Sequence, residues 1–450
     1  MPVLLTVAAM QLTCDLHIHS RFSRATSRDL NLGQLYQWAQ RKGIGIVGTG
    51  DFTHPGWRAE LHRDLVPIAG EPGFFALRAD LREPLDAEIP RACRAPVRFV
   101  LTAETSHIYK KAGALRKVHN LVLAPDLNVV ENLCQRLAAL GCNLNADGRP
   151  IFGLPCRDFL EIILETDGRA CLIPAHIWTP HFSLFGSLSG FDRIEDCFAD
   201  LTPHIFALET GLSSDPAMNW RLSQLDRFTL ISNSDAHSAQ KLGREMNLIN
   251  IQPSYDHLRA ALEHCAPDEF LGTVEFFPEE GKYHLDGHRA CQARLEPAER
   301  IRLDGKCPVC REDVTVGVLS RVEALADRTA KDIQDGLRPS RARPFTSLVP
   351  LPEVVAEVLG QGVATEGTQR LYFKLLDQLG SDMHILRHAD AADLRKAGGE
   401  LLAEGVRRVR AGQLHIAPGY DGEYGRIRIF EPGERSPKRS GRDEQMALFA

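Results

Sequence analysis

Two histidines, His17 and His19, stand two residues apart in Asp15-Leu16-His17-Ile18-His19-Ser20, directly after an apolar-rich segment spanning residues 3–12. On a β-strand alternate side chains point to one side, so this pair can converge on a single metal ion. A lone His-x-His is weak, because histidine pairs also occur as satisfied strand residues. Here, however, further ligand types follow in order: Gly48-Thr49-Gly50-Asp51, Thr102-Ala103-Glu104, Val118-His119-Asn120, Pro174-Ala175-His176, Leu208-Glu209-Thr210 and Asn233-Ser234-Asp235-Ala236-His237. Most of them end or closely follow short apolar runs, at 44–47, 97–101, 171–173, 205–208 and 228–231. Ligand types recurring at the carboxyl ends of strands describe the mouth of a barrel that carries a metal centre.

The candidate site therefore comprises His17, His19, Asp51, Glu104, His119, His176, Asp235 and His237. Eight ligands exceed what one tetrahedral ion can use, so two or three divalent ions are expected, with Glu104 the best candidate for a bridging carboxylate. Mixed imidazole and carboxylate donors suit Zn, Mn or Fe better than a pure oxygen cage suited to Mg. Neighbouring ions lower the pKa of a bound water and stabilise the attacking and leaving oxygens of a phosphoryl group, which points to phosphoester hydrolysis. Amide hydrolysis can use similar ligands, so the donor set alone leaves the substrate open.

A second set of metal ligands lies further on. His288-x2-Cys291 is followed by Cys307-Pro308-Val309-Cys310, the spacing of a four-ligand ribbon that holds one structural Zn. His284 competes for the fourth position, but His288 reproduces the two-residue knuckle. The other eight cysteines show no such pairing and read as core residues.

The elements that must position these residues follow from the patterning. Residues 11–275 alternate strand-like apolar runs with helical patterns, which predicts βα units around a parallel sheet or barrel. Two longer insertions interrupt it, at 52–96 and at 177–200. The second is rich in aromatics and glycine (Trp178, Phe182, Phe185, Phe191), suited to a specificity loop with stacking faces at the barrel mouth. A zinc-binding ribbon spans 276–320 and a mainly helical domain spans 321–430. The helical domain carries arginine clusters (Arg338, Arg341, Arg343; Arg407, Arg408, Arg410) and a Gly/Tyr loop, Gly419-Tyr420-Asp421-Gly422-Glu423-Tyr424-Gly425, that suit phosphate contacts and base stacking. Residues 431–450 read as a disordered tail.

Composition sets wider bounds. The chain has 450 residues, 44% hydrophobic and 25% charged, with a net charge of −6, which excludes a globally basic nucleic-acid binder but not a local basic groove. No apolar run approaches the roughly 18 residues of a membrane span. The segment 1–10 lacks a positive n-region and a cleavage site, so secretion is not expected and Met10 is an alternative start. The cytoplasm, at the nucleoid, is the expected location.

The ordered ligand set resembles the polymerase-and-histidinol-phosphatase (PHP) superfamily over residues 12–275, which implies a distorted (β/α)7 barrel with a trinuclear centre. His17 and His19 match its first motif, Asp51 its second, Glu104, His119 and His176 the middle ligands, and Asp235 and His237 the last. The second motif departs from the usual Thr-Asp-His, reading Thr49-Gly50-Asp51-Phe52-Thr53-His54, so either Asp51 or His54 is its ligand. A barrel of this kind followed by a zinc ribbon and a helical region is similar to the endonuclease Q family. Gly48-Thr49-Gly50-Asp51, the stretch 282–288, the stretch 317–328 and Arg343-Pro344-Phe345 carry that resemblance. The resemblance implies a metal-dependent endonuclease that cuts damaged DNA 5′ of uracil, hypoxanthine, xanthine or an abasic site. Two other readings compete: a PHP-type small-molecule phosphatase, which leaves the ribbon and arginine-rich half without a task, and a non-catalytic DNA- or clamp-binding module. Finally, Gln445-Met446-Ala447-Leu448-Phe449 resembles the peptide that binds the bacterial sliding clamp, with Gln445, Leu448 and Phe449 as anchors.

Overall fold

The computed structural model describes residues 9–431, 433 and 434. Its frame starts with β1 (Met10–Asp15), followed by helix Leu32–Lys42 and β2 (Ile46–Gly48). That helix begins where the Asn31 side chain accepts from the Gln34 amide and stops at Gly43, whose φ of 83° only glycine adopts freely. The insertion at 52–96 folds as helix Pro55–Asp64, a small hairpin of β3 (Leu65–Pro67) and β4 (Phe75–Leu77), and helix Ala79–Glu88. Next come β5 (Arg98–Lys111), β6 (Ala114–Ala124), β7 (Ile151–Phe152), β8 (Cys171–Pro174), β9 (Ala207–Glu209), β10 (Thr229–Ile231), β11 (Met246–Ile251) and β12 (Phe270–Glu275).

The distortion of the barrel has a concrete form. β1, β2 and β5 run parallel, in register Cys14↔Ile46 and Ile46↔Arg98, and β9 and β10 form a second parallel pair. Between them β5 turns back tightly into antiparallel β6 through Ala112 and Gly113, both at positive φ as a two-residue hairpin requires. β6 then pairs antiparallel with β8, and β1 carries antiparallel β11 on its other edge. The ring joins where Ile18 bridges Ala236 in parallel, with the His19 amide donating to the Ala236 carbonyl at 3.1 Å. His17 and His19 flank that bridge, so they keep the alternation expected of a strand just past the end of β1. Apolar residues of β1, β2, β5, β6 and β8 (Cys14, Ile46, Val100, Leu121, Ile173) are buried against one another and fill the frame.

Beyond the barrel, β13 (Asp286–His288) and β14 (Ala293–Leu295) make a small antiparallel pair whose core is only Ala293, Leu295, Cys307 and Val314. Helices Val318–Leu325 and Ala330–Gln334 return to the barrel: Arg321 bonds Asp192 at 2.6 Å and Arg328 bonds Asp226 at 2.5 Å. β15 (Phe345–Ser347) then adds to β12 as a parallel edge strand of the main sheet. The helical unit, Leu351–Leu359 through Glu400–Arg410, starts only after it, shares a core with the barrel (Trp38 on Tyr372, and Lys42 bonded to Asp382 at 2.6 Å), and is followed by the hairpin of β16 (His415–Ala417) and β17 (Arg426–Arg428). Among the described residues no helix is long and apolar enough to cross a membrane.

Candidate metal centre and active site

Two groups of potential ligands form at the barrel mouth, and Glu104 belongs to both. His17, His19, Glu104 and Asp235 offer ligand atoms within 4.8 Å of one another, as do Glu104, His119 and His176. The two oxygens of Glu104 divide between them. Oε1 lies 2.6 Å from His119 Nδ1 and 3.1 Å from His176 Nε2, while Oε2 lies 3.3 Å from His19 Nε2 and 3.5 Å from His17 Nε2. Asp235 Oδ1 completes the first group, 3.0 Å from His19 Nε2 and 3.6 Å from His17 Nε2. One carboxylate facing two ligand groups is the arrangement of a bridge between ions.

The surroundings fit cations. His17 Nε2 is buried without a hydrogen-bond partner, although it faces the cluster. Burial opposes a charge on His17, yet Glu209, Glu104 and Asp235 pull its pKa well above the ordinary imidazole value. Burial likewise pushes Glu104 up, and His119, Arg149 and His17 more than offset it, so the carboxylate is ionised. Imidazoles crowded by carboxylates mark a site of negative potential that divalent metals satisfy, and this donor mixture suits Zn, Mn or Fe.

A second layer aims the rings. Glu209 holds His17 Nδ1 at 2.9 Å and also accepts from the His176 amide and from Asn233 Nδ2, both at 2.8 Å. Asp51 holds His19 Nδ1 at 3.2 Å, and its other oxygen accepts from the Ser20 amide and hydroxyl, both at 2.6 Å, and from Ser23 at 2.8 Å. A carboxylate behind each histidine fixes the ring so that Nε2 faces the metal side. Asp51 therefore stands behind His19, not among the cluster atoms. His54 is no nearer: its Nδ1 caps helix Pro55–Asp64 by accepting from the Gly56 amide, and its ring stacks on Phe22 at 4.4 Å. His237 lies at the edge, one-third exposed, its ring 4.5 Å from His19 and its Nδ1 on the Asp235 carbonyl at 2.9 Å.

Asp51, His176 and Asp235 all have positive φ, an uncommon conformation that Asp and His tolerate better than most residues. Gly211 lets His176 do so, since a Cβ on Gly211 would lie 2.4 Å from the His176 Cβ.

In the ribbon, His288, Cys291, Cys307 and Cys310 bring their ligand atoms within 4.8 Å of one another. His284 is not in that group. Tetrahedral N/S sets of this kind suit Zn.

Comparison with known proteins gives one consistent result. The family model described as the MJ0043 C-terminal domain matches residues 350–413. The uncharacterized protein MJ0043 of Methanocaldococcus jannaschii is 32% identical over 263 residues, 57% of this chain and 31% of that protein, so the chain spans about a third of its length. The uncharacterized protein YqxK of Bacillus subtilis is 29% identical over 428 residues, 92% of this chain and 98% of that protein. The lesion-specific endonuclease PfuEndoQ of Pyrococcus furiosus superposes with a TM-score of 0.80 at 29% identity, over 97% of this chain and 99% of that one. An endonuclease Q complexed with a 27-mer duplex carrying an abasic lesion at the active site superposes with a TM-score of 0.79 at 30% identity, over 95% and 98%. The chain belongs to the endonuclease Q family.

In this endonuclease Q member several features differ from what the residues alone suggest. Trp178 and Phe185 are fully buried and Phe191 nearly so, which makes them the core of their insertion; only Phe182 stays half-exposed, its ring 4.8 Å from His119. Arg407 and Arg408 pair with Glu404, and Arg410 donates to the carbonyls of Leu386, Ile385 and Ala389. Arg341 and Arg343 donate to the carbonyls of Glu263 and Cys265. Each of these arginines has a partner within the chain, and Arg407 remains half-exposed. Arg149, in no motif, reaches the cluster with Nη1 2.9 Å from Glu104 Oε2.

The second layer makes a prediction. Asp51→Asn and Glu209→Gln should each weaken metal affinity by about 10–100-fold, the usual cost of losing such a partner, without unfolding the chain. Titrating metal into the stripped variants and following activity measures it. A half-saturating concentration equal to wild type in both would show that the two carboxylates do not aim His17 and His19.

Proposed function

We propose that the protein is a metal-dependent DNA repair endonuclease that hydrolyses the phosphodiester 5′ of deaminated bases (uracil, hypoxanthine or xanthine) or abasic sites. The observation that carries this is the near-complete superposition, through barrel, ribbon and helical unit, on an endonuclease Q with an abasic lesion at its active site. A small-molecule phosphatase would need only the barrel, and a non-catalytic module would not keep every member of the two ligand groups.

His17, His19, Glu104 and Asp235 would hold one ion, and Glu104, His119 and His176 a second. When bound, divalent ions supply charge neutralisation at a phosphoryl oxygen and make a water more acidic. Arg149, a quarter exposed beside Glu104, is placed to grip a phosphate oxygen, as a guanidinium does with charge-assisted hydrogen bonds. The DNA face would include Tyr424, 70% exposed with Lys282 Nζ 4.5 Å from its ring, and the exposed Arg426 and Arg428. Selection begins with extrusion, which costs least for a mispaired or missing base. In the test, the protein is given Mn²⁺ or Mg²⁺ and duplexes carrying one uracil, hypoxanthine or abasic site, beside undamaged DNA and a phosphomonoester. Nicking confined to the damaged duplexes supports the reading, and phosphomonoester turnover without nicking overturns it.

A bacterial sliding clamp is proposed as a second partner on sequence alone, because Gln445, Leu448 and Phe449 lie outside the described residues. A peptide of residues 440–450 should bind purified clamp at micromolar affinity or weaker and lose binding with Leu448→Ala and Phe449→Ala together. Without saturable binding, or with binding indifferent to those changes, the clamp drops out.

A further inference from the structure

At the floor of the barrel, the end opposite the metal cluster, a cavity of about 650 Å³ opens between the starts of β1, β2 and β5 and the helical unit. Its two walls interlock: a Cβ on Gly43 would lie 2.5 Å from Ser381 Oγ, so the glycine makes room for the helical unit. Arg94, Arg98, Arg387 and His388 line the cavity, and among the described residues no aspartate or glutamate does. In a chain of net charge −6 that lining is unusual. The arginines differ in what they already hold. Arg98 is occupied, forked onto Glu71 at 2.6 and 2.8 Å. Arg94 uses only Nε, which donates to the Ile89 carbonyl at 3.1 Å. Arg387, half-buried in the last turn of helix Asp382–Arg387, has no hydrogen-bond or ion-pair partner among the described residues. Burial lowers its pKa with no carboxylate to offset the effect. Gln40 is 2% exposed; its Oε1 accepts from the Ala95 amide at 3.1 Å, while its Nε2 has no acceptor. A half-buried guanidinium without a counter-charge and a buried amide N–H without an acceptor each carry a desolvation cost that a bound anion would offset.

We propose that this cavity is a binding site for a small phosphomonoester, its phosphate held by Arg387, by the free end of Arg94 and by Gln40 Nε2. Two guanidinium groups and an amide exceed what one carboxylate can accept, whereas a phosphate group offers three oxygens and up to two charges. The apolar wall of Leu12, Ile44, Leu248 and Leu271 leaves room for an organic body, and the volume falls within the roughly 300–1,000 Å³ of small-molecule sites. Because the site stands at the far end of the barrel from the metal ligands, its occupancy fastens the helical unit to the barrel floor and leaves the reaction itself unchanged.

The test measures binding of orthophosphate and adenosine 5′-monophosphate by calorimetry to metal-loaded wild type, Arg387→Gln and Arg94→Gln, with adenosine as the control. Barrel-bound metal also attracts phosphate, so the quantity read is the binding that the two substitutions remove. Both phosphate probes should bind wild type saturably at this site and lose at least about tenfold in affinity in each variant, the scale of one charge-assisted hydrogen bond. Adenosine should not bind there. Adenosine 5′-monophosphate should raise the Tm of wild type and raise that of Arg387→Gln less. Arg387→Gln removes a group without a partner, so it should fold and react at the wild-type rate. Isotherms identical in wild type and both variants, or adenosine binding as tightly as its monophosphate, overturn the site. Orthophosphate binding more tightly than the monophosphate shows that free phosphate is the occupant and overturns the ester.

Discussion

Glu104→Ala is expected to abolish DNA cutting, by at least about a thousandfold, the scale of losing several kcal/mol of transition-state charge stabilisation. Among the described residues no other side chain serves both ligand groups: Oε1 faces His119 and His176, and Oε2 faces His17 and His19. Its loss should therefore lower the number of barrel-bound ions as well as the rate. His19→Ala and Asp235→Ala should also abolish cutting, through the first group alone, and all three variants should keep most DNA affinity because the exposed basic and aromatic face is untouched. Rates, metal counts and DNA binding measured on the same preparations check this. If Glu104→Ala retained two barrel ions and near-normal nicking, the bridge would not exist.

The second large effect is on stability. Cys307→Ser with Cys310→Ser should remove one tightly bound zinc and unfold the region around 286–315, leaving the barrel ligands in place. The reason is the meagre core there, four buried residues of which Cys307 is one. A module so small gains most of its folding free energy from its metal, about 10–16 kcal/mol in isolated zinc-binding peptides. Zinc analysis and limited proteolysis follow it: cleavage within 286–315 should appear at temperatures where wild type resists. Stoichiometric zinc in the double variant, counted apart from the barrel metals, would remove the ribbon site.

Residue type and position in the strand pattern made most of the centre legible. His17 and His19 keep strand alternation across the Ile18–Ala236 bridge, and Glu104 and His119 are diagonal neighbours on one face of the β5–β6 hairpin, where Ser106 is the register partner of His119. The roles within that set were not legible. Asp51 and Glu209 are carboxylates at strand ends like Glu104, and only placement decides which touches an ion and which holds a ring. Glu209 was visible in Leu208-Glu209-Thr210 but carried no mark of its partner, His17, 192 residues away. Arg149 sits in a loop with no motif. The aromatic insertion misled because Trp178 and Phe185 have the same composition as a stacking surface while serving as its core. The carbonyl partners of Arg410, Arg341 and Arg343 were hidden likewise, since they are distant in sequence, whereas Glu404 lies within one helical turn of Arg407 and Arg408. The turn from β5 into antiparallel β6 hid because apolar runs carry no strand direction.

The most direct measurement is the position of the cut. A duplex with one uracil, labelled at the 5′ end of the damaged strand, is incubated with metal-stripped protein, then with Mn²⁺ added back, and the product is sized to the nucleotide. No cut is expected without metal and, with it, one product ending at the phosphodiester immediately 5′ of the uracil. Cutting that persists after metal removal, or that falls at undamaged positions as readily as beside the uracil, would contradict it.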